Sequence, residues 1–361
     1  MSPFPRSDYA ALTRYTPDRR PVEVDLSDNT NLWGTHPGAL ARIRAADVDS
    51  LARYPELYAD VVKEAVARRF GVSPESVATG CGSDDILDSA WRAAAGPGAV
   101  VSYADPTFSM IEPLCAMNGM VGRPVSWPDA LADAGRLLEG DPSLVYVCRP
   151  NNPTGEQAPV EWVEDLLARV GHDGPMVVVD EAYADFAGES LIARAPEHPR
   201  LLVARTTSKA YGLAGLRVGF AVASPEVTLE VEKSRGPYKV SRLAAEASAA
   251  AIEDEEGWLA RTVAECVANR ARLGDELTNR GFAPLESRAN FLLFRSLTGS
   301  AGEDALALRE RGVAVRPFGG IPGLGDGLRV TVGPWPLMER FLAALDGLTG
   351  EAGRAGDGGP A

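Results

Sequence analysis

The sequence lacks the features by which proteins bind nucleic acids or cross membranes. It contains no run of basic residues, and 36 Lys and Arg against 50 Asp and Glu give a formal net charge of −14. Because phosphate backbones and anionic lipids bind clustered cations, we expect neither nucleic acid nor a membrane as a partner. No apolar stretch is long enough to cross a bilayer, and the N-terminus lacks the charged-then-apolar pattern of a signal peptide. We therefore expect a cytoplasmic protein.

Cysteine and histidine are also scarce. The four cysteines are widely spaced and form no C-x-x-C pair, which predicts buried thiols in a reducing cytosol. The three histidines are scattered and lack the spacing of metal ligands. We therefore expect neither disulfides nor a metal centre.

What the sequence does contain is an alternation of short apolar runs with helical patterns. The runs predict buried strands at residues 99–103, 144–150, 176–183, 201–206 and 218–224. Several are Val-rich without polar alternation, which is typical of a mostly parallel sheet covered by helices on both faces. A long amphipathic helix and further strands follow after about residue 240, which predicts a smaller α+β domain.

Four segments make up the predicted organisation of the chain. They are an N-terminal arm at 1–30, a large domain at 31–240, a small C-terminal domain at 241–350 and a disordered tail at 351–361. The tail is assigned on its shortage of hydrophobic residues.

Polar residues follow the predicted strands, at the edge where open α/β sheets bind ligands. A Gly-rich turn at 80–83 opens a helix and could bind phosphate through backbone amides and Ser83. It lacks the third glycine of a dinucleotide fingerprint, and no strongly β-branched strand precedes it, which argues against NAD. Phe108, Asn152 and Asp180 follow other strands. Each also has an ordinary structural explanation: Phe108 as a core aromatic, Asn152 as part of a generic turn and Asp180 as the cap of the following helix.

Pyridoxal 5′-phosphate is the cofactor that needs all of these groups together. Its aldehyde condenses with a lysine amine, here Lys209, and its ring nitrogen pairs with a carboxylate, here Asp180. We assign Asn152 and Tyr183 to the 3′-oxygen of the ring and Phe108 to its face. The phosphate would be held by Ser83, Thr206, Ser208 and Arg217.

Three motifs resemble those of the fold-type I, class I/II aminotransferases. They are PNNPTG at 150–155, VVDEAY at 178–183 and TTSKAYGLAGLRVGF at 206–220, in that superfamily's usual order. The resemblance implies the α/β fold of aspartate aminotransferase: a large PLP-binding domain with a mostly parallel central sheet, and a smaller α+β C-terminal domain. It also implies that Lys209, Asp180 and Tyr183 are the catalytic residues.

Further motifs are similar to the histidinol-phosphate aminotransferase branch of that superfamily. The segment ARYPELY at 52–58 resembles its RYP segment, which would bring Tyr54 to the cofactor phosphate of the other subunit in a homodimer with shared active sites. GCGSDDILD at 80–88 resembles the branch's phosphate cup and adds Asp84 to Ser83. The substrate-binding residues implied by the resemblance are Arg329, Arg340, Tyr15 and Asn31.

The expected reaction is ping-pong transfer of an amino group between histidinol phosphate and 2-oxoglutarate or glutamate, a step of histidine biosynthesis. Small amino and keto acids would be the partners. The run SDNTNLWG at 27–34 departs from the branch at Thr30 and Leu32, and Phe108 replaces a stacking tyrosine. The alternatives are an aromatic amino-acid aminotransferase, a decarboxylase or lyase related to threonine-phosphate decarboxylase, and a non-catalytic regulator.

Overall fold

The computed structural model describes residues 4–6, 9, 12–14, 16, 18 and 20–356, so the predicted substrate ligand Tyr15 lies outside the described residues. The strands are, in chain order, β1 (Val24–Asp25), β2 (Val77–Gly80), β3 (Val100–Asp105), β4 (Val121–Ser126), β5 (Leu144–Cys148), β6 (Met176–Asp180), β7 (Leu201–Thr206), β8 (Gly219–Ala223), β9 (Phe291–Arg295), β10 (Val313–Ala314), β11 (Arg316–Ile321) and β12 (Gly325–Thr331). The α-helices are α1 (Pro37–Arg44), α2 (Val48–Ala52), α3 (Asp60–Phe70), α4 (Ser83–Ala94), α5 (Ile111–Met117), α6 (Trp127–Ala132), α7 (Val160–Val170), α8 (Pro225–Ser234), α9 (Arg242–Glu253), α10 (Trp258–Asn279), α11 (Ala301–Glu310) and α12 (Trp335–Gly356).

Seven strands form the central sheet, in the order β2-β8-β7-β6-β5-β3-β4. Neighbouring strands run parallel except at β8, which is antiparallel to both β2 and β7. This confirms the prediction of a mostly parallel sheet, and the predicted strands correspond to β3, β5, β6, β7 and β8. The Gly-rich turn follows strand β2, which is only four residues long and so carries little β-branched signal.

Both faces of the sheet are buried, as predicted. Along β6, Val177 and Val179 belong to one hydrophobic core and Val178 belongs to the other. Because alternate residues of a strand face opposite sides, each strand of the sheet except β4 contributes to both cores; the edge strand β4 contributes only Val125, to the first. Helices α3, α7 and α9 pack on the first face, and α4, α5 and α8 on the second.

The C-terminal part contains the antiparallel sheet β11-β12-β9 and the helices α10, α11 and α12. Two predicted boundaries differ from the fold. Strand β1, inside the predicted arm, pairs in parallel with β10, and Leu26 beside it is fully buried. Helix α9 begins after residue 240 but packs against α1 and α3. The predicted arm is therefore tied to the C-terminal part, and the start of the predicted C-terminal domain to the large domain, which local sequence composition does not reveal.

Helix α12 continues to Gly356 and so includes residues 351–356, which the sequence placed in a disordered tail. Glutamate, alanine and arginine in this stretch are good helix formers, which accounts for the difference. Residues 357–361 lie outside the described residues. Across the part of the chain that the structure describes, no helix is both long enough and apolar enough to span a bilayer.

Candidate active site

A cavity opens at the carboxyl ends of β5, β6 and β7, which are neighbours in the central sheet. It brings together most of the residues predicted from sequence. Those lining it are Ser83, Asp84, Phe108, Asn152, Asp180, Tyr183, Thr206, Ser208, Lys209, Arg217 and Arg329. The parallel strands place these loops at one edge, as expected for an open α/β sheet.

Asp180 ends β6 and is 4% exposed. Its Oδ2 accepts a hydrogen bond of 2.9 Å from the Tyr146 hydroxyl, and its Oδ1 accepts one of 3.0 Å from the Ala182 amide. Burial raises the pKa of Asp180 to about 6, while these two donors oppose the shift. No α-helix begins here, so the carboxylate is not the cap of one. It is a buried acid at the floor of the cavity.

Lys209 follows β7, and its Nζ donates a hydrogen bond of 3.1 Å to the carbonyl of Asp28. Burial, and then the positive charge of Arg329, lower the pKa of Lys209 to about 8. An amine with such a pKa is partly unprotonated near neutral pH, which suits both a nucleophile and a proton acceptor.

Tyr183 is the centre of a hydrogen-bonded group beside this lysine. Its hydroxyl accepts hydrogen bonds from the side-chain amides of Asn29 at 3.1 Å and Asn152 at 3.4 Å. The carbonyl oxygen of Asn152 accepts one of 2.5 Å from Nη1 of Arg329. Arg329, on β12, therefore joins the C-terminal sheet to the predicted cofactor residues.

A second group surrounds the N-terminus of α4, which begins at Ser83 after the left-handed Gly82 (φ 83°). Arg217 Nη2 lies 3.2 Å from Asp84 Oδ2, and Arg217 Nη1 donates to the Ser208 hydroxyl at 3.4 Å. A Cβ at Gly82 would stand only 2.4 Å from Arg217 Nη2, so a side chain there would displace the guanidinium from the site. Free amides at a helix start, hydroxyls and a guanidinium form an anion site that fits a phosphate group.

Two predicted ligands lie elsewhere. Arg340 is on α12 and forms an ion pair with Glu23 on the surface. Asn31 donates its side-chain amide to the carbonyl of Ala210 at 2.8 Å, so it braces the loop after Lys209. Neither residue lines the cavity. The prediction failed because closeness to a motif along the chain does not determine where a side chain points.

Tyr54 also stands apart from this cavity. It is 79% exposed and stacks on Tyr238 with ring centroids 4.8 Å apart. Within a single chain, Tyr54 does not line the phosphate site.

Sequence reasoning missed other residues of the cavity, which are Asp28, Asn29, Ser109, Cys148, Ala182, Arg316 and Phe318. The most informative is Arg316, which stands directly opposite Arg329 in the β11–β12 pairing. Residues directly opposite in an antiparallel pair project from the same face. The hairpin pattern GVAVRPF…GLRVTVG could have indicated this pairing, but its register depends on the intervening loop.

Behind the cavity lies a row of buried charges that sequence reasoning also missed. Glu181 is fully buried, and its carboxylate lies 3.7 Å from Arg149 and 3.3 Å from Arg205. Each of these three residues is next in sequence to a residue that lines the cavity, at the end of β5, β6 or β7, so the row links the three strand ends behind the cavity. Loss of one member would leave uncompensated buried charge.

A lysine of lowered pKa, a buried carboxylate and an anion-binding helix terminus, converging at the strand ends of an α/β sheet, define a pyridoxal-phosphate site. The chain belongs to the family of class I and II aminotransferases, whose family model matches residues 21–345. It is a PLP-dependent aminotransferase with the fold of aspartate aminotransferase, as the sequence predicted.

Individual relatives are similar over almost the whole chain. Histidinol-phosphate aminotransferase 2 of Gluconobacter oxydans is 38% identical over 351 residues, covering 96% of this chain and 98% of the relative. The aromatic amino acid aminotransferase of Streptomyces coelicolor is 36% identical over 363 residues, covering 94% and 96%. The crystal structure of histidinol-phosphate aminotransferase from Sinorhizobium meliloti in complex with pyridoxal-5′-phosphate has a TM-score of 0.81 at 28% identity, covering 95% and 97%.

Proposed function

We propose that this aminotransferase moves the amino group of histidinol phosphate to 2-oxoglutarate by ping-pong chemistry. The observation that carries the proposal is the cross-strand pair of Arg316 and Arg329, both of which line the cavity. Two guanidinium groups on one face suit a dianionic phosphate ester, which each can bind in bidentate fashion. Arg316 thus takes the place that the sequence assigned to Arg340. The names of several relatives, including the one from Gluconobacter oxydans, support the same substrate.

The chain's own residues would divide the remaining work. Bound pyridoxal phosphate supplies the electron sink for breaking a bond at the substrate α-carbon. Lys209 would bind the cofactor and take the α-proton on Nζ, which its pKa of about 8 permits. Asp180 would face the ring nitrogen, and Asn152 and Tyr183 would face the 3′-oxygen. Phe108 would cover one face of the ring.

The test compares amino donors at a fixed concentration of 2-oxoglutarate, with kcat/KM measured from glutamate formed. We expect kcat/KM for histidinol phosphate to exceed that for phenylalanine by about 100-fold or more. A site built to bind a charged substrate group leaves its own arginine unpaired when the substrate side chain is apolar. A preference for phenylalanine would overturn the proposal in favour of the aromatic alternative, which Phe108 and Phe318 in the cavity would suit.

A matched pair of variants locates the phosphate group. Arg316→Ala should lower kcat/KM for histidinol phosphate by about 100-fold, because it removes a charge-assisted hydrogen-bond partner. Arg340→Ala, whose partner is Glu23, should leave it within about twofold, as for a surface ion pair. Equal losses in both variants would contradict the assignment of Arg316.

We also propose a homodimer in which Tyr54 serves the partner's site, and a cytoplasmic location in keeping with four free thiols. Tyr54 stacks on the exposed Tyr238, and the apolar side chains of Val48, Leu51 and Leu57, on and after α2, are also exposed. Helix α2 has no buried residue within this chain. An exposed apolar patch of this kind marks an interaction surface, and a second copy offers the same patch in return.

Mixing two variants at a pyridoxal phosphate concentration too low to fill sites that lack the Tyr54 contact tests the shared site, since neither variant alone is then active. If Tyr54 acts across the interface, random pairing of Lys209→Ala and Tyr54→Ala chains should create native sites in about a quarter of positions, because half of the dimers are mixed and each holds one intact site. Activity would then rise above that of either variant alone. No gain on mixing, in dimers shown to exchange subunits, would contradict the shared site.

A further inference from the structure

Tyr146 reaches Asp180 although it is not among the residues that line the cavity. It lies on β5 in register with Val178 of β6, and Cys148 of β5 stands opposite Asp180. Because alternate residues of a strand share a face, Tyr146 and Asp180 lie on the same side of the sheet. The Tyr146 hydroxyl donates its hydrogen bond of 2.9 Å to Asp180 Oδ2 from there.

The position of this phenol is fixed by its surroundings. Tyr146 is fully buried, and its ring packs edge-on against Trp91 with centroids 5.8 Å apart. The Trp91 indole in turn donates to Cys115 Sγ at 3.5 Å. Burial raises the pKa of Tyr146 well above its ordinary value, so the hydroxyl keeps its proton and remains a donor at neutral pH.

The Asp180 carboxylate is held in one plane by its two donors. Ala182 donates to Oδ1 and Tyr146 donates to Oδ2, so each oxygen accepts one hydrogen bond from the protein. Both donors stabilise the ionised form, against the effect of burial. Of the two, only Tyr146 contributes through a side chain that substitution can remove without changing the backbone.

We propose that Tyr146 is a positioning residue, which orients the Asp180 carboxylate toward the ring nitrogen of the cofactor without touching the cofactor itself. The inference rests on the cofactor of the family and not on the identity of the amino substrate. It is therefore tested by cofactor binding, which does not depend on whether histidinol phosphate is the donor.

Other ionisable groups face Asp180 and would remain in a variant lacking the phenol. Asp84 at the start of α4 and the adjacent Glu181 both raise the pKa of Asp180. The Cys148 thiol and the Tyr183 phenol are also neighbours, and burial keeps the pKa of each above its ordinary value. Since the acids favour the neutral form of Asp180, loss of the Tyr146 donor would move its pKa further upward.

The experiment compares Tyr146→Phe with Tyr211→Phe in the full chain. Tyr211 is also fully buried, but its hydroxyl has no hydrogen-bond partner among the described residues. The affinity of the apoenzyme for pyridoxal phosphate is measured between pH 5 and 8, together with the melting temperature. For Tyr146→Phe we expect an affinity about 10-fold lower at pH 7. We also expect the acid limb of the affinity–pH curve, the range in which affinity falls as Asp180 takes up a proton, to move to higher pH by about one unit.

The control separates positioning from packing. Tyr211→Phe should leave both the affinity and the acid limb at their wild-type values. The inference is overturned if Tyr146→Phe lowers the melting temperature but leaves the acid limb in place, or if Tyr211→Phe displaces the limb equally.

A second replacement keeps the test decisive should Tyr146→Phe fail to fold. Replacing Tyr146 with 3-fluorotyrosine retains the ring and the hydroxyl and makes the phenol a stronger donor. We then expect the acid limb to move to lower pH, opposite to the effect of removing the hydroxyl. A limb that stays in place would contradict the role of this hydrogen bond.

Discussion

The two sides of the active site differ in how completely one chain encloses them. We call Asn152, Asp180, Tyr183 and Lys209 the floor, and Asp84 and Arg217, together with the Tyr54 that we propose a second copy supplies, the rim. Asp180 and Tyr183 are each 4% exposed, whereas the side chain of Arg217 is 45% exposed and Tyr54 is 79% exposed. The floor is a buried hydrogen-bonded group, and the rim is open to solvent.

This contrast indicates what the fold organises in advance. On the floor, Tyr183 accepts from two asparagines, and Asp180 is held by two donors. Such buried networks hold their members in place because an unmade hydrogen bond is costly there. At the rim, the ion pair of Arg217 with Asp84 is solvent-exposed and correspondingly weak. A single chain thus orders the groups that we expect to act on the reacting bond. We propose that the rim becomes ordered only when the cofactor phosphate and a second copy of the chain bind there.

The largest expected effect is that of removing the floor amine. Lys209→Ala should reduce turnover by more than about 10⁴-fold, because in the proposed mechanism the same nitrogen binds the cofactor and moves the proton. It should also remove the absorbance of the lysine-bound cofactor. Lys233→Ala, which loses only a surface pair with Glu230, is the control and should behave as wild type. Substantial activity in Lys209→Ala would refute the floor assignment.

Removing the floor carboxylate should have the next largest effect. Asp180→Ala is expected to lower kcat by about 10²–10³-fold, as for other losses of a preorganised charge at a reacting group, and to weaken cofactor binding. Asp304→Asn is a matched control, since Asp304 is another buried carboxylate with several donors but lies on α11. It should lose stability and keep the cofactor. Wild-type rates in Asp180→Ala would mean that the carboxylate serves folding only.

A variant of the rim should reduce activity less than a variant of the floor, and it should do so through cofactor affinity and not through kcat. Arg217→Ala should weaken pyridoxal phosphate binding by about 10-fold, through loss of a charge-assisted contact to phosphate. At saturating cofactor, kcat should stay within about twofold of wild type. Titration of the apoenzyme followed by steady-state kinetics measures both. If kcat at saturation falls as far as in Asp180→Ala, the distinction between floor and rim breaks down.

The remaining effect is on stability and not on activity. Lys209→Met should stabilise the apoprotein by about 3 kcal/mol at pH 7, because the pKa of Lys209 is lowered and the unfolded chain binds the proton more tightly. The lowered pKa is about 8, against 10.5 for an ordinary lysine. The loss of stability that the buried amine causes is therefore fully present below pH 8 and disappears as the pH rises to about 10.5. Urea unfolding of both proteins at pH 7 and pH 10 should show the difference shrinking. A difference independent of pH would contradict a buried amine.

The floor was predictable because its residues adjoin short motifs at the ends of strong apolar strands. Once β5, β6 and β7 are taken as parallel, their loops must meet at one edge. Asn152, Asp180 and Lys209 therefore come together in the fold as the sequence predicted. The rim was less predictable, since Tyr54 belongs to a recognisable motif and yet does not line the cavity of its own chain.

By itself, the amino-acid sequence determined the sheet, the lysine, its acid and the anion-binding turn, since each depends on local pattern and on the common direction of parallel strands. Only the tertiary structure decided that Arg316 and not Arg340 joins Arg329, and that Tyr146 supports Asp180. These pairings depend on strand register and on the direction of side chains across separate segments. Neither is encoded in the residues next to the groups concerned.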